Sequence, residues 1–375
     1  MKRLRLISVI SVTIIVLVIL AGFLGCSKKQ EEIKIGAILS LTGDAALYGQ
    51  NAKEGIDLAV EEVNKEGGIL GKNIKVIYED TQADPKIGLS AFQKLVKVDK
   101  VESVIGPITS SVLLAVAPVA NKEQVVVLSP AATSPDITEA GDFIFRNWPS
   151  DAYEGKLIAE YAYHNLNLRN TSLLLINNDY GKGLKQVFVR EFENLGGKIG
   201  IIETFNPKDT DFRAQILKLK DSQTEGLYIV GYPEEFVIIL KQIKELGLKT
   251  QLLSTSAFQD KDIIIKSGVA SEGVIYPYPI EPDPTNPVVA NFEKNFENKY
   301  GKKPGIVCDT GYDALKMIVY TIQLEKGYSG SEIQRGLLSI KDFQGASGIM
   351  SFDRNGDIEK IMEIKTVKNG EFVKF

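Results

Sequence analysis

From Ile33 onward the chain alternates short aliphatic runs with longer stretches of helical period, and this alternation constrains the fold more than any other feature. The first run is IKIGAILSLTG (Ile33 to Gly43). It is followed by an amphipathic stretch from Tyr48 to Glu66, in which Ala52, Gly55, Ile56, Ala59, Val60 and Val63 fall on one face at helical spacing. GGILG (Gly67 to Gly71) stops that helix, and the next strand, IKVIYED, begins at Ile74. The pattern repeats as a helix near Pro85 to Val98, a strand VESVIG, a helix from Ser111 to Asn121 and a strand VVVLSP. Strands this apolar, separated by helices, imply a parallel sheet covered on both faces.

A second series of the same kind begins after FIFRNWPSD (Phe143 to Asp151). It comprises a helix from Ala152 to His164, TSLLLIN, a helix after Tyr180, GKIGIIETF, a helix around Phe212 to Lys220, GLYIVGY, a helix from Glu234 to Leu246, and QLLST. The Pro-rich YPYPIEPDPTNP (Tyr276 to Pro287) then reads as an extended connector. Two helical stretches follow, roughly Val288 to Lys299 and Val307 to Leu324, and the tail from Ser347 reads as short strands with turns at DRNGD and KNG. Length supports two units as well, because 375 residues exceed the roughly 250–300 at which single cores stop growing.

The amino end has a different character. Lys2, Arg3 and Arg5 precede an uncharged run from Leu6 to Leu24, and Gly25 and Cys26 close it. This is the pattern of an export segment, with the basic start retained in the cytoplasm and the body delivered outside. GFLGC (Gly22 to Cys26) resembles a lipobox, which implies cleavage and lipidation of Cys26. The run also approaches the ~18 residues of a spanning helix, so an uncleaved anchor is the alternative, with the same orientation. The other cysteine, Cys308, has no partner for an intramolecular disulfide. A net charge of −4 with no basic block excludes nucleic acid and anionic lipid as natural partners.

The stretch from Ile35 to Pro85, IGAILSLTGDAALYGQNAKEGIDLAVEEVNKEGGILGKNIKVIYEDTQADP, resembles the opening of type I periplasmic binding proteins. More narrowly, it is similar to the branched-chain amino-acid (Leu/Ile/Val) binding proteins of ABC transporters. VIGPITSS (Val104 to Ser111), LSPAATSPDIT (Leu128 to Thr138), NDYGKG (Asn178 to Gly183), YIVGYPEEF (Tyr228 to Phe236) and GYDAL (Gly311 to Leu315) continue the similarity in order. The resemblance implies an α/β protein of two Rossmann-like lobes joined by three crossover segments, with a ligand cleft between them. On that pattern residues 1–26 are the leader, lobe 1 is 33–148 plus 279–350, and lobe 2 is 149–278 plus 351–375. The implied partners are a small-molecule solute, an ABC permease and its ATPase, and the membrane through the lipid. The protein itself is expected to be a monomer without a cofactor or metal.

Ser110 and Ser111 sit where a helix should start, and a helix N-terminus with an adjacent hydroxyl is an anion site, although a serine there can simply cap. The resemblance implies that Ser110 and Thr133 hold a ligand α-carboxylate through their hydroxyls, helped by the backbone at Ala131. It also places Tyr48, Tyr180 and Tyr232 in the cleft, where tyrosine offers an apolar face, a π-face for an ammonium group and a polar rim. Ile108, Val307 and Trp148 add apolar wall. The family's glutamate for the ligand amine aligns with Ser256, so this chain departs from the pattern. An ammonium would then need Asp151 or Asp309. Asp151 reads equally well as an N-cap, and a ligand without an amine is the remaining alternative.

Catalysis has no visible residues. His164, the sole histidine, ends a helix with no acid or nucleophile around it, and no phosphate-binding glycine loop or nucleophile elbow stands in the right context. DRNGD (Asp353 to Asp357) carries acids like a calcium loop but lacks the remaining ligands, so it reads as a turn. The function these features imply is capture of an amino acid or similar small carboxylate by hinge closure, with a ligand sensor for a signalling partner as the alternative.

Overall fold

The computed structural model describes residues 31–375, so the leader and Cys26 lie outside the described residues. In chain order the first unit contains β1 (Glu32–Leu39), α1 (Ala46–Lys65), β2 (Asn73–Asp80), α2 (Pro85–Lys94), β3 (Ser103–Ile105), α3 (Ser110–Glu123), β4 (Val126–Ser129) and β5 (Ile144–Arg146). Its strands form a five-stranded sheet in the order β2-β1-β3-β4-β5, every pair parallel. The period-2 geometry of a strand sends Ile33, Ile35, Ala37 and Leu39 to one core and Ile38 to another, so β1 is buried on both faces.

The second unit continues with α4 (Asp151–His164), β6 (Asn170–Ile176), α5 (Asp179–Asn194), β7 (Lys198–Phe205), α6 (Arg213–Asp221), β8 (Gly226–Val230), α7 (Pro233–Leu246), β9 (Gln251–Leu253), α8 (Lys261–Ser267) and β10 (Ile275–Pro279). The chain then forms α9 (Pro287–Tyr300), α10 (Cys308–Glu325), α11 (Gly330–Ser339), β11 (Phe343–Gly345), β12 (Gly348–Met350), β13 (Met362–Lys368) and β14 (Glu371–Lys374). The second sheet runs β14-β13-β10-β9-β8-β6-β7, and β11 and β12 make a separate hairpin.

Two details differ from the sequence expectation. The second sheet is mixed, because β13 pairs antiparallel with β10 and with β14. The Pro-rich connector also begins as a strand. Ile275 of β10 pairs parallel with Leu253, and Pro277 and Pro279 come after that pairing, where the strand meets only β13.

α10 returns the chain to the first unit. A side chain built at Gly55 of α1 would lie 1.9 Å from the carbonyl oxygen of Cys308, and one at Gly311 of α10 would lie 2.7 Å from that of Ala52. The two helices therefore cross backbone to backbone through their small residues. β13 and β14 take the chain back to the second sheet. Among the described residues no helix is long and apolar enough to cross a membrane.

Candidate functional site

A cavity of about 450 Å³, counted to its open mouth, is lined by residues from both units. The loop before α3 and its first residue contribute Ile108, Thr109 and Ser110, and the turn after β4 contributes Ala131 and Thr133. From the other side come Tyr180 at the start of α5, Tyr232 just before α7, and Ser256 and Ala257 after β9. Tyr48, Trp148, Ile306 and Val307 complete the wall. Every expected site residue lines this cavity except Asp151 and Asp309.

Ser110 does not cap its helix. The N-cap of α3 is Thr109, while the Ser110 hydroxyl accepts the backbone N–H groups of Thr133 at 3.3 Å and Ser134 at 3.1 Å. With both acceptor positions used in this way, the hydroxyl proton is left to donate into the cavity. Thr109 was missed by the sequence reading, yet its buried hydroxyl has no partner and it lines the cavity. An unsatisfied buried hydroxyl beside a helix N-terminus suits an oxyanion that supplies the missing bond. The Ala131 amide is already directed to the hydroxyl of Ser129, at 3.3 Å.

Three tyrosines frame the rest of the cavity, Tyr48 from the first unit and Tyr180 and Tyr232 from the second. Tyr180 and Tyr232 stack with centroids 5.8 Å apart, and Tyr48 meets Tyr232 edge-on at 6.5 Å. The Tyr48 hydroxyl donates to the Ala257 carbonyl at 2.8 Å, and the Asp179 amide donates to the Ser111 hydroxyl at 3.0 Å, so the two units are in contact across the cavity. Trp148 packs edge-on against Tyr278, 6.0 Å away, where the chain crosses between units. Val307 sits at φ 70°, a strained conformation for a β-branched residue, at the start of α10.

Asp151 is not an N-cap. Ser150 fills that position and accepts from the Ala152 amide, and Asp151 is the first helical residue. Its Oδ2 accepts from the Thr133 hydroxyl at 2.9 Å, whereas its Oδ1 is buried without a partner. Burial, and next to it the charge of Glu154, push the Asp151 carboxyl well above its ordinary range. Glu154, one turn further along α4, was not visible as a site residue from sequence. Its carboxylate accepts from the amide of Ser256 at 2.8 Å and from its hydroxyl at 2.6 Å, and burial raises its pKa to about 7. A carboxylate thus stands behind Ser256, supplied by a different element. Asp309 lies outside the cavity lining and accepts from the Thr310 amide; burial pushes its carboxyl above the ordinary range, and the charge of Lys360 opposes that rise.

Arg146, also missed, fastens this arrangement. It is fully buried, donates through Nη1 to the carbonyls of Thr133 and Ser134, both at 2.8 Å, and pairs through Nε and Nη2 with Asp357 at 2.7 and 2.8 Å. The DRNGD turn therefore serves as an anchor for the Thr133 turn. Asp353 is used within it, accepting from the amides of Asn355 and Asp357.

The sequence pattern of the family described as periplasmic binding protein matches residues 32–371. The chain belongs to this family. It falls with the branched-chain amino-acid binding proteins of type I. A leucine-, isoleucine-, valine-, threonine- and alanine-binding protein of Pseudomonas aeruginosa is 29% identical over 343 residues, 91% of each chain. A leucine-binding protein of Thermotoga maritima superposes with a TM-score of 0.85 at 30% identity, covering 92% of this chain and 97% of that one. A branched-chain amino-acid transporter substrate-binding protein of Streptococcus pneumoniae, in complex with isoleucine, gives 0.83 at 28% identity, covering 91% and 98%. The two-lobed fold of the periplasmic binding proteins is therefore the fold of this chain.

Proposed function

We propose that this protein is the extracytoplasmic solute receptor of an ABC importer, and that it captures an amino acid or a similar small carboxylate between its lobes. The observation that carries the reading is the cavity itself, which faces the Ser110 and Thr109 hydroxyls and the N-terminus of α3 toward Tyr180 and Tyr232 from across the cleft, with Tyr48 closing the near side. Hydroxyls and amides neutralise a carboxylate without a buried salt bridge, so the bound solute can be released to a permease. Lobe 1 is taken as 33–148 plus 279–350 and lobe 2 as 149–278 plus 351–375. Closure is driven by the solute binding both lobes, because a ligand shifts an equilibrium only by its differential affinity for the two states.

A thermal-shift screen of the domain from Ser27 against amino acids, amides and small carboxylates tests this, since a ligand specific to the native state raises the melting temperature. At least one amino acid or small carboxylate is expected to stabilise the protein, and Ser110→Ala combined with Thr133→Ala is expected to abolish the shift. No response across the panel, or an undiminished response in the double variant, rejects the reading. The proposal includes Cys26 as a lipid acceptor. Labelled fatty acid should then be incorporated into the native protein and not into Cys26→Ser, whereas an unlabelled native protein that stays in the membrane fraction points to an uncleaved anchor.

A further inference from the structure

Behind the cavity wall lie two buried carboxylates, Asp151 and Glu154, each about 1% exposed and one helical turn apart on α4. Neither touches the cavity directly. Each instead holds a wall hydroxyl: Thr133 donates its proton to Asp151, and Ser256 donates both its hydroxyl and its amide to Glu154. A hydroxyl has a single proton, so when it donates inward it presents only lone pairs to the other side. While the carboxylates are charged, Thr133 and Ser256 face the cavity as acceptors, so Thr133 stands at the amine end and not beside Ser110 at the carboxylate end as the resemblance implied, and Ser110 faces the cavity as a donor. The wall thus has a donor end and an acceptor end.

We propose that a ligand amine is recognised indirectly, by the Thr133 and Ser256 hydroxyls relaying the negative charge of Asp151 and Glu154, so that the preferred substrates are zwitterionic amino acids. This rests on the solute-binding reading and deepens it. The Oδ1 of Asp151 is buried without a hydrogen-bond partner, so no donor among the described residues neutralises that end of the carboxylate. The groups facing the pair are Arg146 from β5, Tyr180 from α5, Tyr228 from β8 and Tyr232 before α7. The only full positive charge among them is that of Arg146, already engaged by Asp357.

Like charges this close and this dry resist joint ionisation, so the empty pair retains a proton near neutrality. An incoming ammonium favours the doubly ionised pair, and the proton leaves to buffer. An amine-free carboxylate of the same shape requires the opposite: with Asp151 protonated, that acid donates to Thr133, and Thr133 then donates into the cavity. Amino-acid binding therefore releases a proton, and the preference for an amino acid over its deaminated counterpart increases with pH.

Calorimetry in buffers of different ionisation enthalpy, using L-leucine, L-valine and L-alanine beside 4-methylpentanoate, 3-methylbutanoate and propanoate between pH 6 and 8.5, counts those protons. In the native protein the amino acids are expected to bind with net proton release at pH 7, and to exceed their deaminated partners by at least tenfold at pH 8, with a narrower gap at pH 6. In Glu154→Gln and Asp151→Asn the ratio should collapse and proton release should fall. The proton count on the native protein holds even if a variant fails to fold. Amino-acid binding without proton release, or a pH-independent preference for the amine-free series, overturns the relay while leaving solute binding intact. Absence of binding by every compound overturns the solute-binding reading and the relay with it.

Discussion

Arg146 shapes the site without touching the cavity. Its guanidinium holds the Thr133 and Ser134 carbonyls and pairs bidentately with Asp357, joining the first crossing, the Thr133 turn and the last segment of the chain. Removing one member of a buried pair leaves the other charge uncompensated, at about 3–5 kcal/mol. Arg146→Met is therefore expected to lower stability by that order in chemical denaturation. It should also weaken ligand binding, because the turn that presents Thr133 loses its anchor. A variant as stable as the native protein would show that the Thr133 turn holds itself. Nothing in the local sequence marks Arg146, since its partner is 211 positions away. Glu154 was hidden for a related reason. Its helical position was legible, but its contact with Ser256 spans 102 positions and depends on how α4 meets the turn after β9.

Elements were more legible than contacts. The helical spacing from Tyr48 to Glu66 and the aliphatic runs identified α1, β1 and their successors, because period and polarity are local properties of the chain. Val60 was placed on the buried face with Ala59 and Val63, yet it is only half-buried, at the margin of the stripe. The antiparallel turn of the second sheet at β13 was not legible, since pairing is decided between strands far apart in sequence. Close approach of α1 and α10 likewise followed from no pattern, although Gly55 and Gly311 are its cause. Adding a Cβ at Gly55 places it 1.9 Å from a main-chain oxygen that belongs to the first turn of α10 and cannot rotate away. Overpacking a well-filled contact costs about 1–3 kcal/mol and more when the backbone must shift. Gly55→Ala should therefore reduce stability by about 3 kcal/mol in urea, despite the better helix propensity of alanine. A neutral or stabilising result would mean that the helices part without cost.

At the scale of the whole molecule, buried carboxyls set the response to pH. Burial raises Glu235 from its ordinary 4.5 to about 7, Glu154 to about 7 and Asp313 to about 6. Each holds its proton more tightly folded than unfolded, so between about pH 4.5 and 7 the native state binds more protons and stability falls as pH rises. The carboxyls shifted down, such as Asp80 and Glu332, act in the opposite sense but below that window, where acid protonates them. For Glu235 alone the shift corresponds to about 3 kcal/mol, fully present below pH 4.5 and lost by about pH 7. The ligand-free protein is therefore expected to melt at higher temperature near pH 5 than near pH 7.5. Glu235→Gln, which keeps an oxygen to accept the Tyr232 amide, should flatten the slope. A saturating amino acid should flatten it further, because an ammonium beside Thr133 and Ser256 favours the ionised form of Asp151 and Glu154 and leaves Glu235 and Asp313 to carry what remains. Melting curves that rise with pH over this range, in the absence of ligand, would show that these carboxyls are ionised in the native state at no cost.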